Sequence, residues 1–220
     1  MINIELFFDY LSPYSYLCWT QVREHIVKLQ SFGEVTLTPV ILSQVIHAND
    51  TKGPAEIKSK RDYLMKDCLR YSVKNKVAFS IPKTLPFNSL DALRLSQKCI
   101  QQASQIPFID ACFRYAWELG QDLGEYDELI DYLRSKNLDP TEKLELVPMQ
   151  ELRRELKTQV KRAIELEAFG LPTFIIHHNE QQELFWGNDS FSAVLEYLDG
   201  NDPMASHMAM KKYNDYLTKF

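Results

Sequence analysis

Residues 2–39 change hydrophobic period twice, and that change constrains the fold more than any other feature of the chain. Ile2, Ile4, Leu6 and Phe8 alternate with Asn3 and Glu5 before the run becomes apolar throughout, the mark of a strand buried at its end. Cys18, Val22, Ile26 and Leu29 then recur at helical spacing. Ser12 suits the N-cap of that helix and Pro13 its first position. Gly33 is expected to stop it, and Val35-Thr36-Leu37-Thr38 reads as a second strand closed by Pro39. Strand, helix, strand in this order implies a parallel pair with a right-handed crossover.

A helical block follows. Ile57, Tyr63, Leu64, Cys68, Leu69 and Tyr71 predict a helix over residues 57–73, and a loop punctuated by Pro82 and Pro86 comes next. Asn88 or Ser89 caps a helix over Leu90–Ala103, and further helices fit residues 107–120 and 126–136. Leu152, Leu156, Val160, Ala163 and Ile164 mark a long helix with Gly170 as its stop. Thr173–His177 and Leu184-Phe185-Trp186, joined by the polar turn 179–182, predict a hairpin. Gly187-Asn188-Asp189 opens a last helix that Gly200 ends. The fold class expected is α/β, a thioredoxin-like core with a helical insertion domain. Core residues 1–42 and 150–200 flank an insertion at 43–149, and 201–220 form a polar, Met-rich tail.

Composition narrows the function classes. The formal net charge is −5, which argues against a nucleic-acid partner. No apolar run approaches the roughly 18 residues of a membrane span, and the chain starts on a strand pattern without a secretory leader, so the expected location is cytoplasmic. Cys18, Cys68, Cys99 and Cys112 are widely spaced, without Cys-x-x-Cys, and read as buried thiols. His177-His178 has no companion at ligand spacing, and no metal site is expected.

Three segments can carry chemistry. Ser12-Pro13-Tyr14-Ser15 stands at the strand-to-helix turn where a thioredoxin-type redox protein carries Cys-x-x-Cys. Serine there cannot form a disulfide. It can cap the helix, and it can donate to a thiolate held at the positive helix end. Such a bond is worth about 1.5–3 kcal/mol, or about one to two pKa units of the thiol. Leu171-Pro172 can simply end a helix; in a thioredoxin-like core it is a cis-proline turn, and Leu171 pairs a peptide-like ligand through its backbone. Asn188 and Asp189 can cap the last helix, or can hold the carboxylate and ammonium of an α-amino acid end. Lys58, Lys60 and Arg61 form either a solvated helix face or an anion site.

Phe8-Asp9-Tyr10-Leu11-Ser12-Pro13-Tyr14-Ser15-Tyr16-Leu17, Phe169-Gly170-Leu171-Pro172-Thr173-Phe174 and Phe185-Trp186-Gly187-Asn188-Asp189 together resemble 2-hydroxychromene-2-carboxylate isomerases and kappa-class glutathione transferases. Pro86-Phe87-Asn88-Ser89 and Arg94 are similar to theirs as well, and the resemblance covers residues 1–200. It implies glutathione as cofactor, with Ser12 as the catalytic residue facing the sulfur. It assigns glutathione binding to Pro13, Tyr14, Thr51, Lys60, Leu171, Pro172, Asn188 and Asp189. Tyr63 belongs to the same Lys-x-x-Tyr region as Lys60, and Asn49 lies two residues before Thr51. The family often carries Arg where this chain has Ser190. A homodimer is implied.

The activity implied is a glutathione-dependent isomerisation of a small aromatic acid, framed by Tyr14, Tyr16, Trp19 and aromatics of the insertion. A kappa-like transferase acting on small electrophiles shares the same site. A non-catalytic peptide-binding or chaperone-like protein of the fold is the reading from another class.

Overall fold

The computed structural model describes residues 2–219. Strand β1 (Ile2–Phe8) leads through Asp9–Ser12 into helix α1 (Pro13–Phe32), which runs directly into β2 (Gly33–Pro39). Ser12 has extended backbone and accepts the Ser15 N–H on its side chain, and Pro13 occupies the first turn. Gly33 ends α1 and also begins β2, two residues earlier than the sequence pattern suggested. A Cβ there would lie 2.0 Å from the Ile2 carbonyl oxygen, so only glycine lets the two backbones pair at this register.

The insertion begins with α2 (Leu42–His47) and the long α3 (Lys58–Asn75), and continues with α4 (Leu90–Leu95), α5 (Lys98–Gln101), α6 (Gln105–Trp117), α7 (Tyr126–Ser135) and α8 (Thr141–Leu146). The single helix expected over 90–103 is two. At the break Gln97 is extended and sends its amide to the Leu152 carbonyl at 2.7 Å, while Ser96 bonds both Tyr10 and the Ala92 carbonyl. Helix α9 (Met149–Glu165) returns the chain to the core, followed by β3 (Thr173–His178), β4 (Gln181–Trp186), α10 (Phe191–Leu198) and α11 (His207–Leu217). Gly170 does not stop α9. The helix closes at Leu166, with Glu167 in the left-handed region, and Gly170 instead lets Trp186 approach, its Nε1 lying 2.6 Å from where a Cβ would stand.

The sheet has the order β2-β1-β3-β4, with β1 parallel to β2 and β3 antiparallel to β1 and β4. Alternation divides its side chains between two cores. Ile4, Leu6, Phe8, Phe174 and Ile176 pack on α1 and the insertion, whereas Phe7 and Ile175 pack with Val40, Val45, Val160 and Ala163 of the α2 and α9 side. Glu5 is buried on the sheet and satisfied twice, by Arg162 and by the Thr38 hydroxyl, both at 2.7 Å. No helix is long and apolar enough to cross a membrane among the described residues.

Candidate functional site

The carboxyl end of β1, the start of α1, the turn before β3 and the end of β4 meet at one end of the sheet, as strand ends of open α/β sheets do around ligands. The Leu171-Pro172 bond is cis, as is Leu85-Pro86. The Ser12 hydroxyl, only 3% exposed, accepts from Ser15 N at 3.1 Å and donates to the Leu171 carbonyl at 3.2 Å. The Gly187 N–H donates to the Pro172 carbonyl at 3.0 Å, so the three chain segments are stitched together by hydrogen bonds. The Asn188 carbonyl in turn accepts from Gln21 of α1 at 2.8 Å.

Beside this junction lies a cleft of about 540 Å³, within the range of small-molecule sites. Leu171 and Trp186–Asp189 form one wall. The other is a stripe of α3, Tyr63, Asp67, Arg70, Tyr71 and Lys74, whose spacing of three and four puts them on one face; Tyr14 lies between. Asp67 accepts the Tyr14 hydroxyl at 2.9 Å. Burial and the adjacent Asp67 carboxylate push the Tyr14 phenol well above its usual range, so it stays a hydrogen-bond donor and not a base.

Four of the sequence-predicted residues, Tyr14, Leu171, Asn188 and Asp189, line this cleft. Ser12, Pro13 and Pro172 are buried at the junction behind it. Thr51 and Lys60 are exposed and outside the lining. Lys60 sits on the same α3 stripe as Tyr63 but one turn short of the cleft. Asn49 is the residue tied to the site's framework: its amide donates to the Val45 and Ala168 carbonyls, anchoring α2 to the segment that enters Leu171. Neither Asn188 nor Asp189 caps the last helix; a 3-10 turn over Asn188–Ser190 intervenes, closed by the Ser190 hydroxyl donating to the Gly187 carbonyl. Tyr16 and Trp19 do not frame the cleft. Both are fully buried, stacked into the Phe113–Trp117 aromatic core.

Sequence reasoning missed Asp67, Arg70, Tyr71, Lys74 and Trp186 as lining residues. The signal was present as a polar stripe continuing four residues at a time from Tyr63, although on an isolated helix such a stripe is indistinguishable from a solvated face.

Fold and cleft together define a thioredoxin-type chain with serines in place of the redox pair and a cleft wall supplied by an inserted helix. The chain belongs to the DSBA-like thioredoxin domain family, whose model matches residues 3–199. Its curated relatives include a 2-hydroxychromene-2-carboxylate isomerase of Sphingobium xenophagum, 24% identical over 198 residues, which span 89% of this chain and 97% of that one. Glutathione S-transferase kappa 1 of Rattus norvegicus is 22% identical over 209 residues, 90% of each chain. Among solved structures, a 2-hydroxychromene-2-carboxylate isomerase matches with a TM-score of 0.74 at 20% identity, over 93% of this chain and 100% of that one, a likeness of fold.

Proposed function

We propose that this protein binds glutathione in the cleft and catalyses a glutathione-dependent isomerisation of the 2-hydroxychromene-2-carboxylate type on a small aromatic acid. One observation carries the reading: a serine hydroxyl at the N-terminus of α1 is held against the backbone of Leu171, at the inner end of a cleft of ligand size. The residues present fit the tripeptide. Leu171 offers backbone pairing, and Asp189, Arg70 and Lys74 offer charges of both signs. Bound there, glutathione would supply a thiolate able to add to a conjugated double bond and leave it again, unconsumed.

The chain's own part is positioning and electrostatics. In the first turn of α1, Pro13 has no N–H and Ser15 gives its own to Ser12, which leaves the Tyr14 N–H, together with the helix dipole, to favour an anion at that end. The Ser12 proton stabilises a thiolate once it turns from the Leu171 carbonyl towards the sulfur. Tyr14, Tyr63, Tyr71 and Trp186 supply aromatic surface for a planar acid. The kappa-type relatives favour a second reading, conjugation of small electrophiles.

Calorimetry with glutathione is the first test. Affinity at millimolar concentration or better is expected, and no heat at that concentration sinks both enzyme readings and favours a non-catalytic peptide-binding protein. Incubation with aromatic pyruvates, chromene acids and model electrophiles separates the other two. An altered absorption spectrum with constant free thiol supports isomerisation, and stoichiometric thiol loss supports transfer.

A further inference from the structure

The two outer edges of the sheet are finished differently. At β2 the strand closes on Pro39, and the Leu37 carbonyl, turned away from β1, accepts the side-chain amide of Gln105 at 2.9 Å. Strand β4 has no Pro, no Lys and no bulge, the usual protections of an edge strand. Its register fixes which groups are open. The Gly187 N–H donates to the Pro172 carbonyl, so these two residues are a hydrogen-bonded pair of the antiparallel ladder. Alternation then turns the backbone groups of Gln181, Glu183 and Phe185 towards β3, and those of Gln182, Leu184 and Trp186 away from it. The outward N–H and C=O groups of Gln182, Leu184 and Trp186 make no hydrogen bond among the described residues. Gln182 is exposed and Trp186 half exposed, which leaves this edge open to a partner strand.

The edge is self-complementary. Its outward residues are spaced by two, with Leu184 at their centre. A twofold axis through Leu184 pairs Leu184 with Leu184, and Gln182 with Trp186 of the other copy, in antiparallel sense. Each such pair exchanges both of its bonds, so every open donor and acceptor of the two edges finds a partner. Glu183, the one charge of the strand, then stands opposite Phe185 of the other copy and not opposite its own mate. Trp186, packed on Phe169 with ring centroids 5.2 Å apart, adds apolar surface at both ends of the paired strands. One feature opposes the pairing mildly. Across the axis Glu183 is a diagonal neighbour of its own mate, and Asp202 adds negative charge beside it.

We infer that two copies of this chain pair through β4, joining their sheets into one continuous sheet. Trp186 also lines the cleft, so the pairing sets Gln182 of one copy beside the cleft mouth of the other. The resemblance implied a homodimer without a place for the copies to meet, and the open edge supplies one. The pairing does not depend on glutathione occupying the cleft.

Sedimentation equilibrium of the full chain, together with hydrogen exchange, tests this. A dimer that dissociates on dilution is expected, and the Gln182, Leu184 and Trp186 amides should gain protection as concentration rises. Gln182→Pro removes one outward donor from each copy and no bond of the β3–β4 ladder, so it should fold and dimerise at least about tenfold more weakly. Glu183→Gln relieves the diagonal repulsion and should tighten the dimer about threefold. Wild type that stays monomeric overturns the inference. So does a dimer that Gln182→Pro leaves unchanged, or one that forms without protecting the three amides. Should Gln182→Pro fail to fold, the wild-type exchange pattern decides by itself.

Discussion

At the scale of single residues, Ser12 is where structure and chemistry meet most closely. A hydroxyl has one proton, and here it goes to the Leu171 carbonyl while a lone pair caps α1. Ser12→Ala is expected to cost about 1 kcal/mol of stability through the lost cap. It should also raise the pKa of bound glutathione by about one to two units, read from the thiolate absorbance. An unchanged titration would leave Ser12 as a cap only. The cysteines make a second prediction. Cys18, Cys68 and Cys112 are buried, and burial pushes all three thiols up, that of Cys68 to about 12. Native protein should therefore react with a thiol reagent at Cys99 alone, even at mildly alkaline pH, and at all four sites once unfolded. Ser12, Leu171 and Asn188-Asp189 were legible in the sequence because each sits at a local signal, a cap, a proline or a glycine turn. Thr51 and Lys60 came from the resemblance and lie outside the cleft lining: Thr51 falls on the path between α2 and α3, and Lys60 one turn before the stretch of α3 that meets the cleft, both placements set by tertiary packing.

At the scale of elements, Asp9 joins three of them. Its carboxylate accepts the Leu11 and Leu42 N–H groups at 2.9 and 2.8 Å and the Ser89 hydroxyl at 2.7 Å, tying the end of β1 to α2 and to the insertion. An amide cannot serve all three donors, since its NH2 group would face one of them. Asp9→Asn should destabilise by about 1–3 kcal/mol in denaturant melts. Burial raises the Asp9 pKa above the ordinary carboxylate value. A raised folded-state pKa means stability that is fully present below the unfolded value and lost as pH rises through the folded one. The variant lacks this titration, so the stability gap between wild type and Asp9→Asn should narrow as pH climbs from about 4 through that window. Helix existence was readable from periodicity throughout the insertion. The split of α4 from α5 was not, because it is made by Gln97 reaching the Leu152 carbonyl, a partner 55 positions away.

At the scale of the whole molecule, a mixed four-stranded sheet carries a separate core on each face, and the insertion contributes to both, α2 to one and its later helices to the other. Helix α11 buries none of its residues. Removing residues 207–220 should cost much less unfolding free energy than truncating a buried side chain of α9, where Leu152→Ala is expected to cost about 2–5 kcal/mol, and a comparable loss in denaturant melts would overturn this. The sequence by itself determined the α/β class, the strand–helix–strand opening, the hairpin near the carboxyl end and the three local turns of the site. All of these are written in hydrophobic period and in residues with restricted backbone, which act over a few neighbours. Only the tertiary structure decided that α3 runs beside α1, that Tyr16 and Trp19 belong to the core, and that Arg70 and Lys74 face Asp189 across a cleft. Those relations depend on which helix face finds the apolar side of the sheet, and a polar stripe looks the same in sequence whether it meets water or a ligand.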